Sequence, residues 1–165
     1  MGEPSQVRVG HARSGLARKT CRMRVYIPAT ASDLAIQTSG QWEPAHAFAA
    51  TDALAAAAPE LDEDELAELA IDLAAEASAL SLGSRLRVVI AADFSRADVA
   101  LDPDAGPGAV VLTGRLAPGA VACVFMDEED AVADVAAAQG GDEAATDRLG
   151  ERSLLWYELG ELREA

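Results

Sequence analysis

The most regular hydrophobic pattern in the chain begins after Asp62, where apolar residues recur at steps of three and four positions. That spacing places them on one face of an α-helix. The apolar positions of this stripe are Leu66, Leu69, Leu73, Ala77 and Leu80. Asp62 and Glu65 have the spacing of a capping box, and Gly83 occupies a position at which helices commonly end. The pattern predicts an amphipathic helix from about 62 to 82.

Short runs of β-branched and other apolar residues occur elsewhere in the chain, and they predict strands. Five such runs lie at residues 24–27, 47–49, 85–92, 109–112 and 121–126. Segments that open with acidic or hydroxyl-bearing residues predict short helices between them. These segments lie at about 33–37, 51–58 and 129–138. Residues 142–150 are predicted to be helical or loosely structured. A last apolar run lies at 154–157.

Strands and helices alternate along the chain, but only some of the links between strands are long enough for a parallel crossover. We therefore expect an α+β fold. Its predicted architecture is a two-layer sandwich in which helices cover a mixed sheet of about five strands. The helix at 62–82 is expected to pack against the strands that end at Ala92 and Met126.

The first 22 residues differ from the rest of the chain in charge and in pattern. They contain five basic residues and one acidic residue, a net charge of +4, and they show no clear hydrophobic period. The remaining chain has eight basic and 27 acidic residues, a net charge of −19. This change predicts a disordered basic extension over 1–22 and a single acidic domain over 23–165, with Met23 as a plausible alternative start.

A formal net charge of −15 disfavours binding to nucleic acid and to anionic membranes, because both carry negative charge. The acidic surface is either simply solvated or a binding face for a basic partner protein. The acidic side of the helix at 62–82 is likewise either solvated, or it binds a basic protein or mimics nucleic acid. No apolar run approaches the roughly 18 residues that span a membrane. The expected location is therefore the cytoplasm.

The chain offers few nucleophilic or metal-binding side chains. Its two cysteines, Cys21 and Cys123, match neither a disulfide framework nor a zinc motif. Cys123 lies in an apolar run and is predicted to be a small core residue. His46 is the one histidine after the extension, and no nucleophile-elbow motif accompanies it. A surface or strand-edge position for His46 is therefore favoured over a catalytic role.

Acidic residues follow two of the predicted strands. Asp93 comes after the run at 85–92, and Asp127 comes after the run at 121–126. If these strands are adjacent and parallel, the two carboxylates converge at one edge of the sheet, where Asp130 or Glu128 adds a further oxygen. Oxygen ligands of this kind bind Mg²⁺ or Ca²⁺. The alternative is that these aspartates only cap turns and helices; no other cofactor is expected.

Trp156 and Tyr157 form an aromatic pair near the C-terminus of a chain in which aromatic residues make up only 4%. One interpretation is that the rings anchor the last segment to the core, because each ring buries a large apolar area. The other interpretation is an exposed patch that binds a partner protein.

Four segments together resemble a family of uncharacterised, small, acidic actinobacterial proteins. They lie at residues 23–30, 48–54, 88–93 and 154–162. The resemblance extends from about Met23 to the C-terminus and omits the basic extension. It implies a bacterial cytoplasmic setting, and it transfers no catalytic residue, because the family has no assigned activity.

Two functional hypotheses follow. The first is a small non-enzymatic protein that acts through protein–protein contact, since the sequence lacks a dense catalytic cluster, a cofactor motif and a basic surface. The second is a metal-dependent hydrolase or transferase that uses Asp93, Asp127 and Asp130. It requires those carboxylates to lie within a few ångströms of one another, because oxygen–metal distances are only about 2.0–2.6 Å.

Overall fold

The computed structural model describes residues 21–37 and 39–163, which contain five α-helices and one sheet of seven strands. The helices are α1 (Ala31–Gln37), α2 (Asp52–Ala57), α3 (Glu63–Leu80), α4 (Val132–Gln139) and α5 (Glu143–Glu151). The strands are β1 (Arg22–Ala29), β2 (His46–Phe48), β3 (Val88–Ser95), β4 (Val99–Leu101), β5 (Ala109–Leu112), β6 (Val121–Met126) and β7 (Leu155–Tyr157).

Most of the predicted extension over 1–22 lies outside the described residues. Arg22, which the sequence pattern placed in that extension, is the first residue of β1. None of the described helices combines the length and the apolar character that a membrane crossing requires.

The strands form one sheet in the order β4-β5-β2-β1-β3-β6-β7, and every neighbouring pair is antiparallel. The predicted α+β class is confirmed. The predicted mixed sheet of about five strands is wrong in strand number and in direction. The two strands that the pattern missed, β4 and β7, are three residues long and lie at the two edges. Three residues are too few to establish a period of two.

The segment between β6 and β7 shows why a helical link did not produce parallel strands. Two helices, α4 and α5, lie between the two strands and pack against each other. Because the chain runs out along one helix and returns along the other, it comes back to the end of the sheet that it left. Leu155 at the start of β7 is consequently paired with Met126 at the end of β6.

Helix α3 has the predicted cap and nearly the predicted length. The Asp62 carboxylate accepts a hydrogen bond from the Glu65 N–H at 2.9 Å, and the Glu65 carboxylate accepts one from the Asp62 N–H at 2.8 Å. These two bonds form the capping box. They fix the helix start, because they satisfy two backbone donors that have no partner within the helix.

The buried face of α3 is rotated away from the leucine stripe. Leu69 and Leu73 are only partly buried at its flank, and Leu80 is 46% exposed. The buried residues are Leu66, Ala70, Ala74, Ala75, Ser78 and Ala79. Small side chains allow the helix axis to approach the sheet closely, and the Ser78 hydroxyl uses this proximity by donating to the Ala29 carbonyl at 2.7 Å.

Hydrophobic clusters lie on both faces of the sheet. On the face that α2 and α3 cover, Tyr26, Val89 and Cys123 pack with Leu54 and Leu66. The opposite face is more aliphatic and is covered by α1, by the segments around Trp42 and Leu116, and by the C-terminal turn. Its central buried residues are Val25, Ile27, Val88, Ile90 and Val124.

Candidate functional site

The two strand-end aspartates of the predicted metal site lie at opposite ends of the sheet. Asp93 is in β3, and Asp127 directly follows β6. These strands are adjacent, as the hypothesis required, but they are antiparallel: Val88 pairs with Met126 at one end of the strand pair, and the register ends near Asp93 at the other. The predicted convergence of the carboxylates is therefore wrong, since it needed parallel strands.

Asp93 is held by Arg24, its cross-strand neighbour on β1. The Arg24 Nε donates to Asp93 Oδ1 at 2.7 Å, and Nη2 donates to Oδ2 at 3.2 Å. This hydrogen-bonded carboxylate raises the pKa of Arg24 further, and burial partly opposes the rise. Both side chains remain partly exposed, so the pair is a surface ion pair.

Asp127 forms a buried two-point ion pair with Arg87. The Arg87 Nη2 donates to Asp127 Oδ1 at 2.7 Å, and Nε donates to Oδ2 at 2.9 Å. The Arg87 backbone N–H donates to the same carboxylate at 3.0 Å, and the Asp127 N–H donates back to the Arg87 carbonyl at 3.1 Å. Buried charges of this kind are tolerated only when they are fully hydrogen-bonded.

The Arg87 guanidinium also holds the C-terminal end of α5. Its Nη1 donates to the Leu149 carbonyl at 2.8 Å, and its Nη2 donates to the Arg152 carbonyl at 3.3 Å. Arg152 in turn donates to Asp130 at 2.6 Å. Asp130 is thus part of the ion pairs that join α4 to α5. Within residues 21–37 and 39–163, no group of three His, Cys, Asp or Glu side chains is arranged to hold a metal ion.

His46 and Cys123 are well separated. His46 is exposed on β2, whereas Cys123 is buried on β6. Two strands lie between these positions, which corresponds to about 14 Å across the sheet. Burial raises the pKa of the Cys123 thiol, and a hydrogen bond from Trp156 and the charge of Arg24 oppose that rise only in part. A thiol with a raised pKa is a poor nucleophile at neutral pH.

Trp156 lies on the outermost strand and is 54% exposed. It pairs with Phe125 of β6, so its ring is on the α3 side of the sheet, where it reaches Cys123. Its neighbours on β7 are also accessible: Leu155 is 38% exposed, and Tyr157 is partly buried. This geometry leaves more than half of the Trp156 side chain outside the core.

A groove of about 330 Å³ lies between α3 and the segment that leads into β7. Its apolar lining includes Ile71, Phe125 and Leu154. Phe125 is the cross-strand partner of Trp156, so the groove lies next to the exposed indole. We call β7 together with this groove the Trp156 surface.

The acidic residues of this groove are Glu68, Asp72 and Glu151. None of these three carboxylates has an ion-pair partner among the described residues. Burial raises the pKa of Asp72, the charge of Arg87 partly opposes this effect, and Glu68 adds to it. Arg152 also lines the groove, but it is paired with Asp130 and Asp134. The groove thus combines an apolar lining and one paired arginine with unpaired negative charge.

A larger open depression of about 810 Å³ lies at the opposite end of the sheet. Its lining carries both signs of charge, from Arg22 and Arg115 and from Asp93 and Asp98. Arg115 is already paired with Glu43 at 3.1 Å. Among the described residues, the lining charges of this depression that have no ion-pair partner are of both signs, Arg22 and Asp98, whereas those of the groove beside Trp156 are all acidic. The depression is therefore less selective for a charged partner than the groove.

Sequence reasoning missed Arg87 and the groove. Arg87 lies within the apolar run at 85–92, and a charged residue in such a run indicates a buried partner when the run is a central strand. The groove had no comparable sequence pattern, because Glu68, Phe125 and Glu151 come from three separate segments.

The model of a family of unknown function, DUF6912, matches residues 23–164. This match confirms the resemblance to an uncharacterised family, while the actinobacterial setting stays a prediction. Neither a curated protein nor a solved structure is significantly similar to the chain. Since the model covers almost the whole length, the chain belongs to DUF6912, a family of unknown function.

Proposed function

We propose that this protein is non-enzymatic, that it acts in the cytoplasm, and that it binds a basic partner protein through the Trp156 surface. The observation that carries the proposal is the position of Trp156, a large aromatic side chain that is 54% exposed on the last strand of the sheet. Tyr157, the next residue of β7, adds its backbone to this surface, while its partly buried side chain lies on the opposite face of the sheet beside Val124.

The exposed part of Trp156 is large enough to matter for binding. An aromatic side chain buries roughly 150–250 Å² in total, so the exposed half represents about 100 Å². At roughly 25 cal/mol per Å², covering this area contributes about 2–3 kcal/mol. Tryptophan is among the residues that most often dominate the binding energy of protein interfaces.

The charge around Trp156 favours a basic partner. Glu68, Asp72 and Glu151 line the adjoining groove without ion-pair partners in the part of the chain that the structure describes. An arginine or lysine side chain can place its methylene groups on the apolar lining while its charge remains near these carboxylates. The negative charge of the rest of the chain adds long-range attraction for the same partner.

The metal-dependent alternative has no comparable support. It needed Asp93, Asp127 and Asp130 in one place, and the antiparallel register of β3 and β6 separates Asp93 from the other two. Asp127 and Asp130 are each engaged by an arginine. No observation favours this second function over protein binding.

The test uses three proteins as baits for basic proteins in a lysate: the unchanged protein, Trp156→Ala and Leu101→Ala. Leu101 is a matched control, because it is 61% exposed on β4, the other edge strand. We expect the same basic protein to be captured by the unchanged chain and by Leu101→Ala but not by Trp156→Ala, and to be released by salt. Equal capture by all three proteins, with circular dichroism showing each to be folded, refutes the proposal.

A further inference from the structure

We infer that the partner binds as an extended basic segment that adds to β7 as an eighth strand of the sheet. This inference rests on the proposed function, and it specifies how the Trp156 surface recognises its partner.

One edge of β7 is open. The strand is paired on one side only, through Leu155 with Met126, Trp156 with Phe125 and Tyr157 with Val124. Within residues 21–37 and 39–163, no strand lies on its other side. Alternate N–H and C=O groups of an edge strand point outward and are available to a further chain. An extended peptide satisfies those groups, whereas a helix does not.

The open edge of β7 has little protection against pairing with a further strand. Natural edge strands are commonly protected by proline, by lysine or by a bulge. Leu155, Trp156 and Tyr157 include neither proline nor lysine, and the β6–β7 register contains no shift. The one protective feature is the length of three residues. That length restricts the added segment to a few residues, so side-chain contacts must supply part of the affinity.

Aromatic and acidic side chains lie next to the open edge of β7. Side chains of an added strand alternate between the two faces of the sheet. Those on the α3 side fall beside the Trp156 ring and next to the groove that contains Glu68, Asp72 and Glu151. An arginine or lysine in that position places its charge near the unpaired carboxylates and near the indole. The contact with the indole is a favourable cation–π interaction. The segment is therefore basic at alternate positions.

The same charge argues against a second copy of this chain as the occupant. Each copy carries a formal net charge of −15, and Glu158 follows β7 directly. Two such edges brought together repel each other, because like charges next to one another are unfavourable. A basic strand is attracted by the charge that repels a second copy.

The experiment uses the full chain with Trp42→Phe, so that Trp156 is the one remaining tryptophan, and a defined probe. The probe is an acetylated and amidated peptide of four Val-Arg repeats. Its first control is the corresponding Val-Glu peptide. The other two controls are analogues of the probe that are N-methylated on alternate residues, one on the odd-numbered and one on the even-numbered residues, because either set of N–H groups can face β7. Binding is measured by Trp156 fluorescence, and hydrogen exchange reports protection of the β7 amides.

We expect the Val-Arg peptide to bind and to slow hydrogen exchange in β7. The Val-Glu peptide and at least one N-methylated analogue should bind at least about tenfold more weakly, since the former reverses the charge and the latter removes backbone hydrogen bonds. Equal binding by the parent and both methylated peptides overturns strand addition but leaves the proposed function standing.

Two further outcomes are decisive. If the Val-Arg peptide does not bind at millimolar concentration, or if the free protein is a dimer with protected β7 amides, the basic-strand inference is wrong. If the peptide binds and binding measured by calorimetry is unchanged in Trp156→Ala, the Trp156 surface is not the binding site and the proposed function fails with the inference.

Discussion

The Arg87–Asp127 pair and the Trp156 surface adjoin each other, but charge is arranged differently in the two regions. At the pair, both charged groups are buried, and the carboxylate accepts three hydrogen bonds from Arg87. At the surface, Glu68, Asp72 and Glu151 have no ion-pair partner among the described residues and lie beside exposed apolar side chains.

The two arrangements differ because the charged groups of the pair are shielded from water, whereas those of the surface remain in contact with it. A buried charge has lost its hydration, so the fold has to replace every hydrogen bond that water made. An exposed carboxylate keeps its hydration and costs little when unpaired. The paired charges therefore contribute to the stability of the fold, whereas the unpaired ones are available to the partner that we propose.

The largest effect is expected from Asp127→Ala. This change leaves the Arg87 guanidinium buried without its counter-ion and also weakens its hold on the end of α5. Breaking one side of a buried pair costs about 3–5 kcal/mol of unfolding free energy. Urea denaturation measures the loss.

The matched control for this prediction is Asp93→Ala, which breaks the exposed pair with Arg24. A surface ion pair contributes at most about 1 kcal/mol. If the two substitutions lower the unfolding free energy by the same amount, the contrast between buried and exposed charge does not hold in this molecule.

The second effect concerns the unpaired charges. Replacing Glu68, Asp72 and Glu151 together by their amides should weaken binding of the Val-Arg peptide about tenfold at low salt, since the attraction is electrostatic. The difference should shrink as salt is added, because the screening length falls to about 8 Å at physiological ionic strength.

A control variant removes the same number of charges elsewhere. Glu60, Asp64 and Asp104 are exposed and do not line the groove. If Glu60→Gln, Asp64→Asn and Asp104→Asn weaken binding as strongly, net charge rather than the groove explains the attraction.

The third effect concerns a buried side chain that is polar but carries no charge. Gln37 is fully buried, and neither its side-chain nitrogen nor its oxygen has a hydrogen-bond partner among the residues that the structure describes. Gln37→Met keeps the shape and removes the unsatisfied amide, so the unfolding free energy should rise by about 1–2 kcal/mol. Thermal and urea denaturation both measure this gain.

Gln139 provides a control of opposite sign. Its side-chain nitrogen donates to the carbonyls of Ala79 and Ser84 at 2.9 and 2.8 Å. Gln139→Met should therefore destabilise the protein by about 0.5–1.5 kcal/mol. A loss of stability in both glutamine variants contradicts the interpretation of Gln37 as unsatisfied.

The smallest effect is the pH dependence of Asp72→Asn. Burial raises the pKa of Asp72 in the folded state, so ionisation of this carboxylate favours the unfolded chain. The penalty is absent below the unfolded pKa and is complete above the folded pKa. The asparagine variant should thus be slightly more stable than the unchanged protein at about pH 7, and the difference should vanish near pH 3. Melting temperatures at the two pH values test the sign.

Elements whose signals lie in residues close together along the chain were predictable from the sequence. The capping box at Asp62 and the helix that follows it are present, and β5 and β6 have the predicted bounds. The three-residue strands β4 and β7 were not predictable as strands, because their structure depends on pairing with β5 and β6. Helix α3 was correctly located, but which of its faces is buried depended on the sheet beneath it.

The candidate site was harder to predict than the fold. The sequence drew attention to Trp156 and Tyr157, and it left their exposure open. It also suggested that Asp93 and Asp127 meet, which required a parallel sheet. The out-and-back path of α4 and α5 shows how helical segments can join antiparallel strands instead.

The sequence by itself determined the α+β class, the acidic character and the position of the main helix, because periodicity, charge and capping are properties of neighbouring residues. The tertiary structure alone decided which charges are paired and which are left free. Arg87 and Asp127 are 40 positions apart, and their contact depends on strand order and register. The same register leaves β7 at the edge with Trp156 exposed.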